Sequence, residues 1–325
     1  GGYEKMNLFE PVDVLVPNVE EMEKWAVIAC DQFTSQPEYW ERVEEYVGDA
    51  PSSLKLIFPE AKLGEESSNM VSEIRKTMET YLSDGIFDEY KNAFMYIERT
   101  LLDGSIRKGI VGAINLDEYE YSPHSLSGIR ATEKTVVERI PPRKIIRENA
   151  VVELPHILLF SDDEKDVMCG YLESVKEELP LIYAFDLMEE GGHITGRLVE
   201  GKYLEKLVEK METYGDFIAE KYRDSKKVPM MFAVADGNHS LATAKACYED
   251  IKLKNPGKDL LNHPARYALV ELVNIHDEAQ KFEPIHRIVK NVDVQALLGA
   301  LILDSCAEGG YPVRWYSGEK HGVIY

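Results

Sequence analysis

The ten residues from Ala235 to Ala244, ADGNHSLATA, follow the apolar run VPMMFAV and open a stretch that continues after Gly237 without Gly or Pro to Lys252. A strand, a tight turn and a helix in that order aim free backbone N–H groups and the positive end of a helix dipole out of the turn, where an anion such as a phosphate is held. Asp236 stands at the carboxyl end of the strand, able to orient a water or hold Mg²⁺. Gly237 permits tight backbone geometry, Asn238 and Ser240 offer polar groups to phosphate oxygens, and His239 can donate or act as acid or base. The same residue types also begin ordinary helices, with Asp236 and Ser240 as caps and Gly237 closing the loop. Residue type alone leaves both readings open.

Other residues could serve the same chemistry. Residues 122 to 150 contain Arg130, Arg139, Arg143 and Arg147, with Arg107 just upstream, in a chain short of positive charge. They read either as an anion site or as a solvated loop pairing with surrounding carboxylates. Asp31 ends the apolar run WAVIAC beside Thr34 and Ser35, as a general base for a substrate hydroxyl or as the cap of a helix begun by Pro37. His286 follows a strand and is either a hydrogen-bonded structural residue or a site residue. His156, inside ELPHILLF, reads as part of a strand.

Composition bounds the function. With 37 Lys and Arg against 58 Asp and Glu, the net charge is −21, which repels a phosphodiester backbone over any long contact. Extended nucleic-acid binding is therefore not expected, whereas a few local donors can still hold one small anion. Cys30, Cys169, Cys247 and Cys306 are far apart and form no metal or disulfide pattern. No run approaches the roughly twenty apolar residues of a membrane span, so no membrane partner and a cytoplasmic location are expected. Oligomeric state is not legible.

The elements that must position these residues alternate. Residues 12 to 30 read as strand, helix, strand. A helix over 36–47 places Trp40, Val43 and Val47 on one face, LKLIF at 54–58 reads as a strand, and a helix spans 65–82. The Leu101-Leu102-Asp103-Gly104-Ser105 break between two apolar runs predicts a hairpin. Strands follow at 153–160 and 179–188, then a hairpin return over 191–199 with Gly191-Gly192 in the turn, a helix over 202–222, the strand-turn-helix unit, and a strand over 266–275. A helix near 293–302 and a terminal hairpin close the chain. The expectation is an α/β, mixed α+β protein, its mixed sheet flanked by helices.

ADGNHSLATA and LVNIHDEAQKFEPIHRIV together resemble the family known as domain of unknown function 1015. IRATEKTVVERIPPRKIIRENA is similar to that family's block in which a His-Glu-x-Thr element precedes a basic stretch, and CDQFTSQPEYW with SSLKLIFPE is similar to its N-terminal block. The likeness runs from about Asp13 to Val289. Glu133, Thr135, His286 and Arg287 match the family pattern. The turn itself is similar to the Asp-Gly-x-His-Arg turn of the ParB and sulfiredoxin-like fold, which includes nucleotide-binding partition proteins and free serine kinases. The chain departs where that turn carries His-His-Arg, with Asn238, His239 and Ser240, and where the family block carries His, with Thr132.

The resemblance implies a ParB-like core over 1–290 with a β-rich insertion around 90–200, and a C-terminal α/β subdomain from 291, cut short at 325. It implies a small phosphate-containing ligand, with ATP or ADP and Mg²⁺ as cofactors. Gly237, Asn238, Ser240, Arg130, Thr135, Arg143, Arg147, His286 and Arg287 would bind phosphate, Asp236 would hold the metal, and Asp31, Glu133, Asp236 and His239 would be catalytic. The expected activity is phosphoryl transfer to a small hydroxyl compound, or hydrolysis of a phosphate ester. The alternative is a nucleotide-binding switch or scaffold without turnover, and a nuclease ranks last.

Overall fold

The computed structural model describes residues 8–28, 33, 36–59, 62, 68–154, 157–223, 228–283, 286–304 and 310–325. Two compact units divide the chain, residues 1–280 and 281–325. In the first unit the elements are β1 (Phe9–Glu10), β2 (Val12–Pro17), α1 (Met22–Trp25), α2 (Pro37–Val47), α3 (Ser68–Ser83), β3 (Phe87–Thr100) and β4 (Ile106–Asn115). They continue with β5 (Tyr119–Glu120), β6 (Ile129–Arg130), α4 (Ile140–Arg147), β7 (Ile157–Ser161), α5 (Val167–Val175), β8 (Leu181–Asp186) and β9 (His193–Val199). α6 (Gly201–Lys221), β10 (Phe232–Asp236), α7 (Asn238–Lys254) and β11 (Tyr267–Asn274) complete it. The second unit holds α8 (Val294–Asp304) and the hairpin β12 (Val313–Ser317) and β13 (Lys320–Ile324).

One mixed, eleven-stranded sheet organises the first unit in the order β5-β6-β10-β7-β11-β4-β3-β9-β8, with β1 beside β4 and β2 beside β3. β10 is parallel to β6 and antiparallel to β7, and β7 is parallel to β11. Strand alternation sends Leu159, Val234, Val270 and Leu272 to one face, where all are buried. There they pack in one core with Leu172 of α5, Leu207, Tyr214 and Ile218 of α6, and Leu241, Ala244 and Tyr248 of α7. Burying one such leucine contributes about 1.5–3 kcal/mol, so α7 is anchored along its length and its first turn has a fixed position at the end of β10.

The expected hairpin joins β3 to β4. Gly104 has φ 82°, and Asp103 Oδ1 accepts from the Ser105 amide at 2.9 Å. α2 begins with Pro37 and buries Tyr39, Trp40, Val43 and Val47. Three expectations are corrected. Residues 53–56 form a 3-10 turn and not a strand, because the Ser52 hydroxyl accepts from Leu54 N–H at 3.2 Å and Ser53 Oγ donates to the Trp25 carbonyl at 2.6 Å. The arginine-rich stretch contains α4, whose prolines, Pro141 and Pro142, stand in the first turn where a helix does not need their N–H. α5 was not expected; Asp163 starts it by accepting from Val167 and Met168 N–H at 3.0 and 3.1 Å. A second strand ending at Cys30 falls partly on residues outside the described set, and residues 26–28 carry no regular structure.

Candidate functional site

β10 ends at Asp236 beside the start of β7, with a register shift between Val234 and Asp236. Gly237 then turns the chain at φ 89° and ψ 29°, in the left-handed region that a side chain disfavours. A Cβ on it would lie 3.1 Å from Ile157 Cγ1 and 3.3 Å from Ile157 Cα. α7 starts at the next residue, so its N-cap is Gly237, which has no side chain to cap with. Its first internal bond is from Leu241 N–H to the Gly237 carbonyl at 2.9 Å. Asp236 and Ser240, on either side of the turn, are both half-buried.

The first-turn side chains are fixed by a strap that follows β6. Thr132 N–H donates to Asn238 Oδ1 at 3.2 Å, Asn238 Nδ2 donates to Thr132 Oγ1 at 3.2 Å, and Thr132 Oγ1 donates to the Val234 carbonyl at 2.6 Å. Val136 N–H donates to His239 Nε2 at 3.2 Å, so that ring nitrogen carries no proton. The His239 carbonyl accepts from Thr243 Oγ1 at 2.7 Å. Asn238 and His239 are buried at 5% and 9% exposure. Their side chains hold the turn, and the donors the turn has to offer are backbone N–H groups. Thr132 and Asn238, two positions where the chain departs from the pattern it resembles, are bonded to each other.

Within the strap, Thr132, Glu133, Lys134 and Val136 are exposed, while Thr135 is 7% exposed. Flanked by bonds to Asn238 and His239, Thr135 turns inward beneath the strap, and its hydroxyl is enclosed without a hydrogen-bond partner. An enclosed polar atom left unbonded costs about 1–3 kcal/mol.

The arginines go to different places. Arg130 Nε donates to the Ser127 carbonyl at 2.8 Å and Nη2 to the Val228 carbonyl, toward the start of β10 and away from Asp236; burial lowers its pKa from the ordinary value. Arg143 Nη1 donates to the Arg139 carbonyl at 2.9 Å. Arg147 pairs with Glu153 at 2.8 Å, and the same Glu153 oxygen accepts from Leu269 N–H of β11 at 3.2 Å. Lys144 of α4 bonds Asp250 of α7, which raises the Lys144 pKa, and burial raises that of the neighbouring Cys247 thiol despite Arg147 and Lys144 beside it. Asp31 and His156 lie outside the described residues. His286 and Arg287 belong to the second unit and are exposed.

Sequence reasoning missed one acidic group. Asp162, Glu164 and His276 bring their ligand atoms within 4.8 Å of one another just past the far end of β7. Lys221 Nζ already sits on Asp162 at 2.7 Å and on Glu164, and Tyr222 Oη donates to Asp162 at 2.8 Å. His276 Nε2 is 2.6 Å from Asp162 Oδ1. The residues are scattered over 162–276, so no local spacing signals the group. Among the described residues no helix is long and apolar enough to cross a membrane.

A family model described as Protein of unknown function (DUF1015) matches residues 10–306. No curated protein and no solved structure matches the chain.

Proposed function

The chain belongs to the family Protein of unknown function (DUF1015), and within it we propose a binder of a small phosphate-bearing ligand of the nucleotide class, held at the first turn of α7. One observation carries this reading: a helix anchored along its length begins at a left-handed glycine on the end of a strand, so that its N-cap position has no side chain of its own. Backbone donors fixed in direction and a dipole end favour an anion there without further ordering of the chain. The similarity of the turn to that of nucleotide-binding partition proteins and free serine kinases supports the same ligand class.

Mg²⁺ suits the donor set. It is commonly held by one or two carboxylates together with substrate phosphates, and Asp236, half-buried at the strand end, is the carboxylate at this turn. The metal would offset phosphate charge, while this chain's residues would orient the phosphates through backbone N–H groups and take a hydroxyl proton at a carboxylate, with Glu133 on the exposed strap as the base. The activity that follows is phosphoryl transfer to a small hydroxyl compound.

A second reading, binding without turnover, is favoured by His239: its Nε2 accepts from Val136 and is engaged in holding the strap. Thermal stability with ATP, ADP, CTP and GTP, each with and without Mg²⁺, tests binding. A saturating ligand raises stability by about 2.7 kcal/mol at a hundredfold excess over Kd. The expected result is a Mg²⁺-dependent rise for one nucleotide that Asp236→Asn loses; no rise with any of them would refute both readings. A new phosphomonoester then separates transfer from binding alone.

A further inference from the structure

The arginines near the strap are not equivalent. Arg130 is spent on two carbonyls and Arg147 on Glu153, and Arg143 is half-buried with Nη1 on the Arg139 carbonyl and Nε enclosed. Arg139 is exposed, and among the described residues its guanidinium makes no hydrogen bond or ion pair, although Glu133 and Glu138 stand in the same segment of a chain with net charge −21. Its place is nevertheless fixed. Arg139 ends the 3-10 turn Val137–Arg139, and its N–H closes on the carbonyl of Val136, the residue whose own N–H donates to His239 Nε2. From there α4 runs alongside α7 in the same sense, since Val136 meets His239 at one end and Lys144 meets Asp250 further on. Arg139 thus stands at the end of the helix pair where α7 begins.

We propose that Arg139 is the arginine that grips a phosphate bound at the first turn of α7, serving in place of the arginine the turn lacks at Ser240; this rests on the binding reading above. A guanidinium presents a planar fork that meets two phosphate oxygens at once, and its long stem reaches over one helical turn. Thr135, enclosed beneath the same strap with no partner for its hydroxyl, adds a neutral donor whose acceptor would be a ligand oxygen. The ligand class is a pyrophosphate-bearing compound: the backbone donors of α7 take one phosphate and Arg139, at the neighbouring helix start, the next.

The test is calorimetric titration of pyrophosphate, and of ATP with Mg²⁺, into the full chain and into Arg139→Gln, Arg139→Lys and Arg75→Gln. The last removes the same charge from an exposed pair with Glu79 on α3. Arg139→Gln is expected to raise Kd about tenfold or more, and Arg139→Lys to recover only part of that loss, because an ammonium cannot form the fork. Arg75→Gln is expected to match the parent chain. Equal affinities for Arg139→Gln and Arg75→Gln would overturn the assignment while leaving binding at the turn intact. A parent chain that binds neither probe would overturn the assignment together with the reading it rests on.

Discussion

Replacing Asn238 by Asp separates the two roles of the turn. In the native chain the Asn238 amide accepts from Thr132 N–H and donates to Thr132 Oγ1, both at 3.2 Å. A carboxylate keeps the first bond and loses the second, a loss of about 0.5–1.5 kcal/mol. It also places a negative charge at the first position of α7, which the helix dipole stabilises by about 0.3–1 kcal/mol. Folding stability of Asn238→Asp should therefore stay within about 1 kcal/mol of the parent. Anion binding should not. A unit charge about 5 Å from a phosphate charge, at an effective dielectric near 20, costs about 3 kcal/mol, or about a hundredfold in affinity. Urea unfolding gives the first quantity and titration with pyrophosphate the second. Unchanged affinity in a stably folded Asn238→Asp chain would refute the placement of the anion at this turn, whatever else the protein binds.

Four further outcomes follow from the same geometry. Gly237→Ala should destabilise the fold by about 1–2 kcal/mol, read as a lower urea midpoint, because alanine must take φ 89° against Ile157, and Gly237→Asn should lose less. Thr135→Val, which removes an enclosed hydroxyl that has no protein partner, should leave the ligand-free fold equally or up to about 1 kcal/mol more stable in urea while weakening phosphate binding. Glu153→Ala should cost about 2–3 kcal/mol, since one of its oxygens serves both Arg147 and the Leu269 amide. Burial pushes the Asp162 carboxyl up, but the bonds from Lys221, His276 and Tyr222 outweigh it and hold the pKa below the ordinary 3.8. A depressed folded-state pKa means stability that is present above about 3.8 and lost as pH falls through the lower folded value. The urea midpoint should fall in that acid window, and Asp162→Asn should flatten the fall.

Elements whose apolar period is long and uninterrupted were legible in the sequence. β10, α7 and β11 stand where the spacing predicts them, and so does the Asp103–Gly104 hairpin. LKLIF misled because its apolar content fits a strand, while two serines ahead of it bond to Leu54 and Trp25 and curl the backbone. IPPRKIIR misled in the opposite sense: paired prolines read as breakers unless their place in the first turn is known. In the turn, composition gave Gly237 and the helix start but could not tell whether Asn238 and His239 face outward or the strap. Contacts 103 to 106 residues apart in sequence, Val136 to His239 and Thr132 to Asn238, settle their direction. The same long separation hides the value of Arg139, whose spacing is no different from that of Arg130, Arg143 and Arg147, and whose partner-free guanidinium appears only once theirs are placed.

The most direct test of the account is amide hydrogen exchange across the chain with and without the nucleotide that raises its stability, in the presence of Mg²⁺. The account predicts added protection concentrated at the amides of Asn238, His239 and Ser240, which would acquire acceptors in the ligand, and at the strap over 132–139, whose bonds to Asn238 and His239 would open less often. Protection that falls elsewhere while these amides exchange as before would contradict it.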